Sequence, residues 1–157
     1  MEVILEQFIP SDKPKRVSNI LKNVAIVFFA IGIMVIFGSI LIGIALEIAA
    51  LAFFIGSYLM YIDYEYELYN GNITITKVYN ASRRKVAKVI NRDQVKRVYT
   101  TERKDALKKD VLAFYNSNLE GLKIYTFELN DNKVIQVALN NELEKMVRIL
   151  YSQVMTY

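Results

Sequence analysis

Between Lys22 and Asp63 the chain carries a single charge, Glu47. The rest of that stretch, NVAIVFFAIGIMVIFGSILIGIALEIAALAFFIGSYLMYI, is apolar, small or an aromatic alcohol. As one straight helix it would extend about 60 Å at ~1.5 Å per residue, twice the ~30 Å of a bilayer core. The chain must therefore turn back within the run, and residues 23–62 are expected to form a two-helix transmembrane hairpin. Two turns are possible. A turn at Ile42–Leu46 gives spans of about Asn23–Leu41 and Glu47–Ile62 and leaves Glu47 at the outer interface. A turn at Gly38–Ser39 balances the spans but buries Glu47 about two turns deep, where an acid costs about 2.5–3.5 kcal/mol. That cost favours the first placement. The second would make Glu47 a functional candidate, because intramembrane acids usually have a partner or a task.

The flanks set an orientation. Lys13, Lys15, Arg16 and Lys22 precede the run, Lys77 and Arg83-Arg84-Lys85 follow it, and the turn holds no Lys or Arg. Cytoplasmic loops carry the excess of basic residues, so both termini are expected in the cytoplasm of a multi-pass cell-membrane protein. Tyr58, Tyr61 and Tyr64 suit the aromatic belt at the exit. Gly32, Gly38, Gly43 and Gly56 permit close helix contact, although no GxxxG pair is present. The run is too long, and starts too far in, for a signal-peptide h-region. Residues 1–22 are expected as a cytoplasmic N-terminal segment whose apolar start, MEVILEQFI, lies in the interface, packs on the soluble part or frays.

The chain has 157 residues, no Cys and no His. Disulfides, thiolate nucleophiles, Cys metal sites and the usual neutral-pH general base are excluded. No enzyme, cofactor or metal is expected. Abundant Ile, Lys, Asn and Tyr suggest AT-rich codons.

After the run, Asn70-Gly71 marks a type I′ hairpin, since both central residues need positive φ. Pairing outward sets Leu68 opposite Ile73 and Tyr66 opposite Ile75, with Glu65 and Glu67 on the polar face. Strands are expected at Arg83–Ile90, Gln94–Thr101, Val111–Tyr115, Leu122–Leu129 and Lys133–Leu139, with Glu102–Asp110 a solvated loop or helical turn. Asn141, with Glu144 completing a capping box, begins a helix whose apolar face is Leu143, Met146, Val147, Leu150, Val154 and Tyr157. Residues 63–157 thus read as seven antiparallel strands and one helix, an α+β domain.

That order, with the entry Tyr64-Glu65-Tyr66-Glu67-Leu68-Tyr69, the turn Asn70-Gly71 and the strand Asn72-Ile73-Thr74-Ile75, resembles the bacterial pleckstrin-homology-like (PH-like) membrane proteins. With Arg83-Arg84-Lys85 shortly after, it is similar to a family of short clostridial-type membrane proteins. The resemblance spans about residues 15–157. It implies a PH-like seven-stranded barrel or sandwich plugged by the last helix, and no agreed activity.

Residues 77–109 hold twelve Lys or Arg against three acids, a local balance of +9. Lys77, Arg83, Arg84, Lys85, Lys88 and Arg92 are the candidates for meeting anionic lipid headgroups or a partner, against a plain solvated face. Asp63, Glu65 and Glu67 read as a polar sheet face rather than a cation site. The sequons at Asn72 and Asn80 have no role in a cytoplasmic domain, and no nucleic-acid motif accompanies the basic segment. Two functions are compatible with these residues. One is a membrane-anchored adaptor whose domain binds a protein, peptide or anionic lipid, alone or as a homo-oligomer. The other is an auxiliary subunit of a transport or envelope complex that meets its partners through the spans.

Overall fold

The computed structural model describes residues 4–101, 111–116 and 118–156. The chain divides into two compact units. The first comprises Met1–Pro10, Asp63–Val78 and Arg84–Tyr157; the second comprises Ser11–Ile62 and Tyr79–Arg83.

In the first unit, β1 (Ile4–Ile9), β2 (Ile62–Tyr69), β3 (Asn72–Tyr79) and β4 (Arg83–Ile90) form a sheet in that order. A second sheet has the order β5-β7-β8-β6, from β5 (Val95–Thr100), β6 (Val111–Ala113), β7 (Lys123–Leu129) and β8 (Val134–Leu139). Helix α3 (Asn141–Leu150) follows. The β2–β3 turn has Asn70 at φ 49° and Gly71 at φ 80°, the left-handed pair a type I′ turn requires. Tyr66, Leu68, Ile73 and Ile75 are buried together with Phe127, Ile135, Val137, Leu143, Val147 and Tyr151 in one core.

Three expectations change here. The described residues contain eight strands rather than seven, because the apolar start forms β1, antiparallel to β2 with Gln7 opposite Tyr66 and Ile9 opposite Tyr64. The first 22 residues are thereby shared between the two units. Buried Gln7 donates to the Ala138 carbonyl (3.0 Å) and accepts from the Asn140 N–H (2.9 Å), so a polar residue ties β1 across to β8. The strands are not all antiparallel either: β6 pairs with β8 in parallel, a pairing of segments distant in sequence that no turn signal announces. At the end, α3 is capped by Asn140, whose side chain accepts from Leu143 N–H (2.9 Å), and it stops at Leu150. The Val154 carbonyl then accepts from Val98 N–H (2.9 Å), and the tail pairs with β5. The expected loop at 102–110 and Tyr157 lie outside the described residues.

In the second unit, α1 (Asp12–Ile36) and α2 (Ile40–Met60) are joined at Phe37–Ser39. Pro14 sits in the first turn of α1, where no intrahelical N–H is missed. The expected turn at Ile42–Leu46 is corrected: those residues lie inside α2. Contacts step in opposite directions along the helices, Ile36 on Gly43, Gly32 on Glu47, Phe28 on Phe53, so the two are antiparallel. Gly38-Ser39 is a poor helix-forming pair near the middle of the run, and breaking there sets small residues against each other. The buried residues are Ser18, Ala25 and Gly32 on α1 and Gly43, Ala50 and Ser57 on α2. Each set recurs every seven residues, two helical turns, which lets two backbones approach closely.

Candidate functional site

The basic candidates do not converge. Lys77 lies over the Phe114 ring, 5.7 Å from its centre. Arg84 pairs with Glu65 at 2.9 Å. Neighbours on a strand point to opposite faces, so Arg83 and Lys85 stand on the face away from Arg84, both exposed. Lys88 is half-buried, near enough to Asp131 to help lower its carboxyl pKa, behind the dominant hydrogen bond from Lys133. Arg92 is exposed and packs its stem on the Asn-Gly turn, where a Cβ on Gly71 would lie 3.0 Å from Arg92 Cδ. Arg83, Arg84, Lys85 and Lys88 lie along β4. β4 is the last strand of its sheet, and Val86 is 57% and Val89 39% exposed on it. Among the described residues its strand partner is β3 alone. Asp63, expected on the polar face with Glu65 and Glu67, is buried (2% exposed).

Polar groups inside the β unit are closely matched. Glu144, 6% exposed, does not fold back to complete a capping box. Its carboxylate accepts from Lys123 Nζ (2.9 Å), Tyr125 OH (3.0 Å) and Arg148 (2.9 Å). Burial would raise its pKa, but these bonds outweigh it and hold the carboxyl below its ordinary value. Burial and the bond to Glu144 raise Tyr125. Tyr66 and Tyr151 are raised chiefly by burial. Tyr66 OH donates to the Phe114 carbonyl and accepts from Ala138 N–H; Tyr151 OH donates to the Gly71 carbonyl (2.6 Å). Gln136 donates to Thr126 (3.1 Å) and accepts from Tyr115 OH (3.2 Å). These groups join strands to α3 and to the hairpin turn. Among the described residues no group of three or more His, Cys, Asp or Glu is placed to hold a metal.

The helical pair is the reverse. Its outward faces are apolar: Phe37 is 90%, Leu41 83% and Met34 76% exposed. Both helices are long and apolar enough to cross a membrane. The one acid of the apolar run, Glu47, expected at an interface, sits inside α2, seven residues past its first residue. Glu47 Oε1 is buried with no hydrogen-bond partner among the described residues. It rests against Gly32, where an added Cβ would lie 2.5 Å away; the missing side chain makes room for the carboxylate. Beside it runs a groove of about 400 Å³ lined by Ala25, Ile26 and Phe29 of α1 and Glu47, Ala50, Leu51 and Phe54 of α2. The α2 positions follow i, i+3, i+4, i+7 spacing, one helix face. Searching for GxxxG misses this seam; small residues seven apart on both helices are the signal that finds it.

No curated protein and no solved structure matches the chain. A family model described as bacterial PH-like domain (DUF6106) matches residues 1–155. That span takes in the apolar run as well as the strands and α3. The chain belongs to this bacterial PH-like family.

Proposed function

We propose that the chain is a non-enzymatic membrane adaptor. Helices α1 and α2 span the bilayer with both termini in the cytoplasm, and the PH-like unit works at the inner surface. The observation that carries this is the apolar exterior of both helices, which water would not tolerate over such an area, together with basic residues on both flanks and none at the turn. The natural docking place on the PH-like unit is the β4 edge. An extended acidic segment can add there as a further strand, its backbone pairing with β4 and its acids meeting Arg83, Lys85 and Lys88. The dispersal of the basic side chains favours a protein or peptide over a lipid headgroup.

The absence of Cys gives a clean test of the topology. Single variants Ser39→Cys and Asp131→Cys are labelled in intact cells with an impermeant maleimide. Labelling of position 39 alone is expected; equal labelling of both sinks the reading. A photocrosslinking residue at Val86 then reports the partner. A discrete protein adduct is expected, and adducts to lipid alone would replace the peptide with a headgroup.

The groove beside Glu47 supports a second reading, an auxiliary subunit of a membrane complex that meets its partner through the helices. Replacing α1 and α2 with unrelated apolar helices separates the two. If co-purification of a partner survives, the helices are an anchor and this second reading fails.

A further inference from the structure

We propose that the groove on α1 and α2 takes a partner transmembrane helix that carries a Lys or Arg at the depth of Glu47. This rests on the second reading above and names the partner chemistry for it. Glu47 is the sole charge between Lys22 and Asp63, and its buried Oε1 has no hydrogen-bond donor among the described residues. Its own unit does not supply one: Ser57 Oγ, on the same helix, donates to the Phe54 carbonyl at 2.7 Å. A carboxylate in hydrocarbon without a donor is expensive, and such residues pair with one another or with a cation.

The groove gives that cation a place. Its floor is small at Ala25 and Ala50, and its rim is open, with Ile26 63%, Phe29 54%, Leu51 59% and Phe54 56% exposed. An apolar helix lying along the rim covers these four side chains. A basic side chain from it brings to Glu47 the opposite charge that its own unit lacks there. A second copy of this chain fits poorly. It has no Lys or Arg anywhere from Asn23 to Ile62, so it would bring another acid to the same level.

The test uses the full chain in nanodiscs and a synthetic Leu/Ala host helix, with association read by energy transfer between labels. A host with one Lys at the depth of Glu47 is expected to bind about tenfold more tightly than an all-apolar host. The gain disappears when the Lys is moved two turns along the host, and it disappears with Glu47→Gln. Glu47→Lys shifts the preference to a host bearing Glu at that depth. Equal binding of apolar and Lys hosts overturns the cationic partner while leaving helix-mediated contact standing. No binding of any host removes both. Self-association of the chain that is lost with Glu47→Gln would put a second copy in the groove and also overturn the proposal.

Discussion

Two glutamates on helices show how differently the two units are built. Glu144 in the β unit is nearly buried and meets a lysine, a tyrosine and an arginine of its own chain. Glu47 in the helical unit has a buried oxygen that meets none. The contrast extends to whole surfaces. The β unit gathers large apolar side chains such as Tyr66, Phe127 and Leu143 in a core and satisfies its buried Gln7, Thr126 and Gln136; the helical pair turns large apolar side chains outward and buries small ones. A buried polar group is stable when its partners are present. Glu144 therefore reads as architecture, complete within the chain, whereas Glu47 Oε1 has no hydrogen-bond partner among the described residues.

The largest effect that would sharpen this contrast is expected from Glu144→Leu. It leaves Tyr125 and the tips of Lys123 and Arg148 without their acceptor and should lower the stability of the β unit by about 2–3 kcal/mol, read by urea unfolding. The direction in pH follows. The folded pKa of Glu144 lies below the ordinary 4.5, so the unfolded chain binds the proton more readily. Its stabilisation is complete above about pH 4.5 and is lost as pH falls through the depressed folded value. Glu144→Gln should flatten that acid limb; an unchanged limb would show that Glu144 is not a stability determinant. Tyr66, Tyr125 and Tyr151 act at the other end, because their folded pKa values lie above 10.0. Their contribution is intact below pH 10.0 and is lost as pH rises through the raised values, giving alkaline unfolding.

Gly43→Ala comes next. Its new methyl would strike Ile36, including Cα at 2.9 Å and backbone N at 3.0 Å, and backbone cannot step aside. Separation of α1 from α2 at a cost of about 1–2 kcal/mol is expected, measured as lost energy transfer between labels on the two helices. Gly32→Ala should cost less, about 1 kcal/mol, since the struck group is chiefly the movable Glu47 carboxylate. The same change in a Glu47→Ala background should be milder. Glu47→Leu alone should leave the helical pair as stable or more so, the opposite sign to Glu144→Leu. A destabilisation equal to that of Glu144→Leu would break the comparison. The smallest effect is expected from Arg84→Ala. Its ion pair with Glu65 is exposed on the arginine side, and loss within about 0.5 kcal/mol is expected by the same urea titration.

Much of the fold was legible where chemistry is local. Asn70-Gly71 announced its turn because few residues accept positive φ there. The alternation around it announced that Tyr66, Leu68, Ile73 and Ile75 face inward, and the long apolar run announced two helices. Less of the candidate site was legible. Arg83, Arg84 and Lys85 look like one cluster in sequence, yet a strand sends them to opposite faces and Glu65 takes Arg84. Glu144 looks like a capping residue, but Asn140 caps the helix alone and the glutamate turns to β7. Glu47 was placed at an interface because a lone buried acid is costly, and a cost argued one residue at a time does not include the space left by Gly32.

By itself, then, the sequence determined local conformation and the apolar character of residues 23–62, since φ preference and side-chain hydrophobicity belong to each residue. Tertiary structure alone decided that Ile4–Ile9 joins the sheet, that β6 runs parallel to β8, and that the small residues of α1 and α2 meet in one seam with Glu47 beside it. Those depend on pairings between segments far apart in the chain. Their free energy comes from burial and hydrogen bonding across the contact, not from any property of either segment alone.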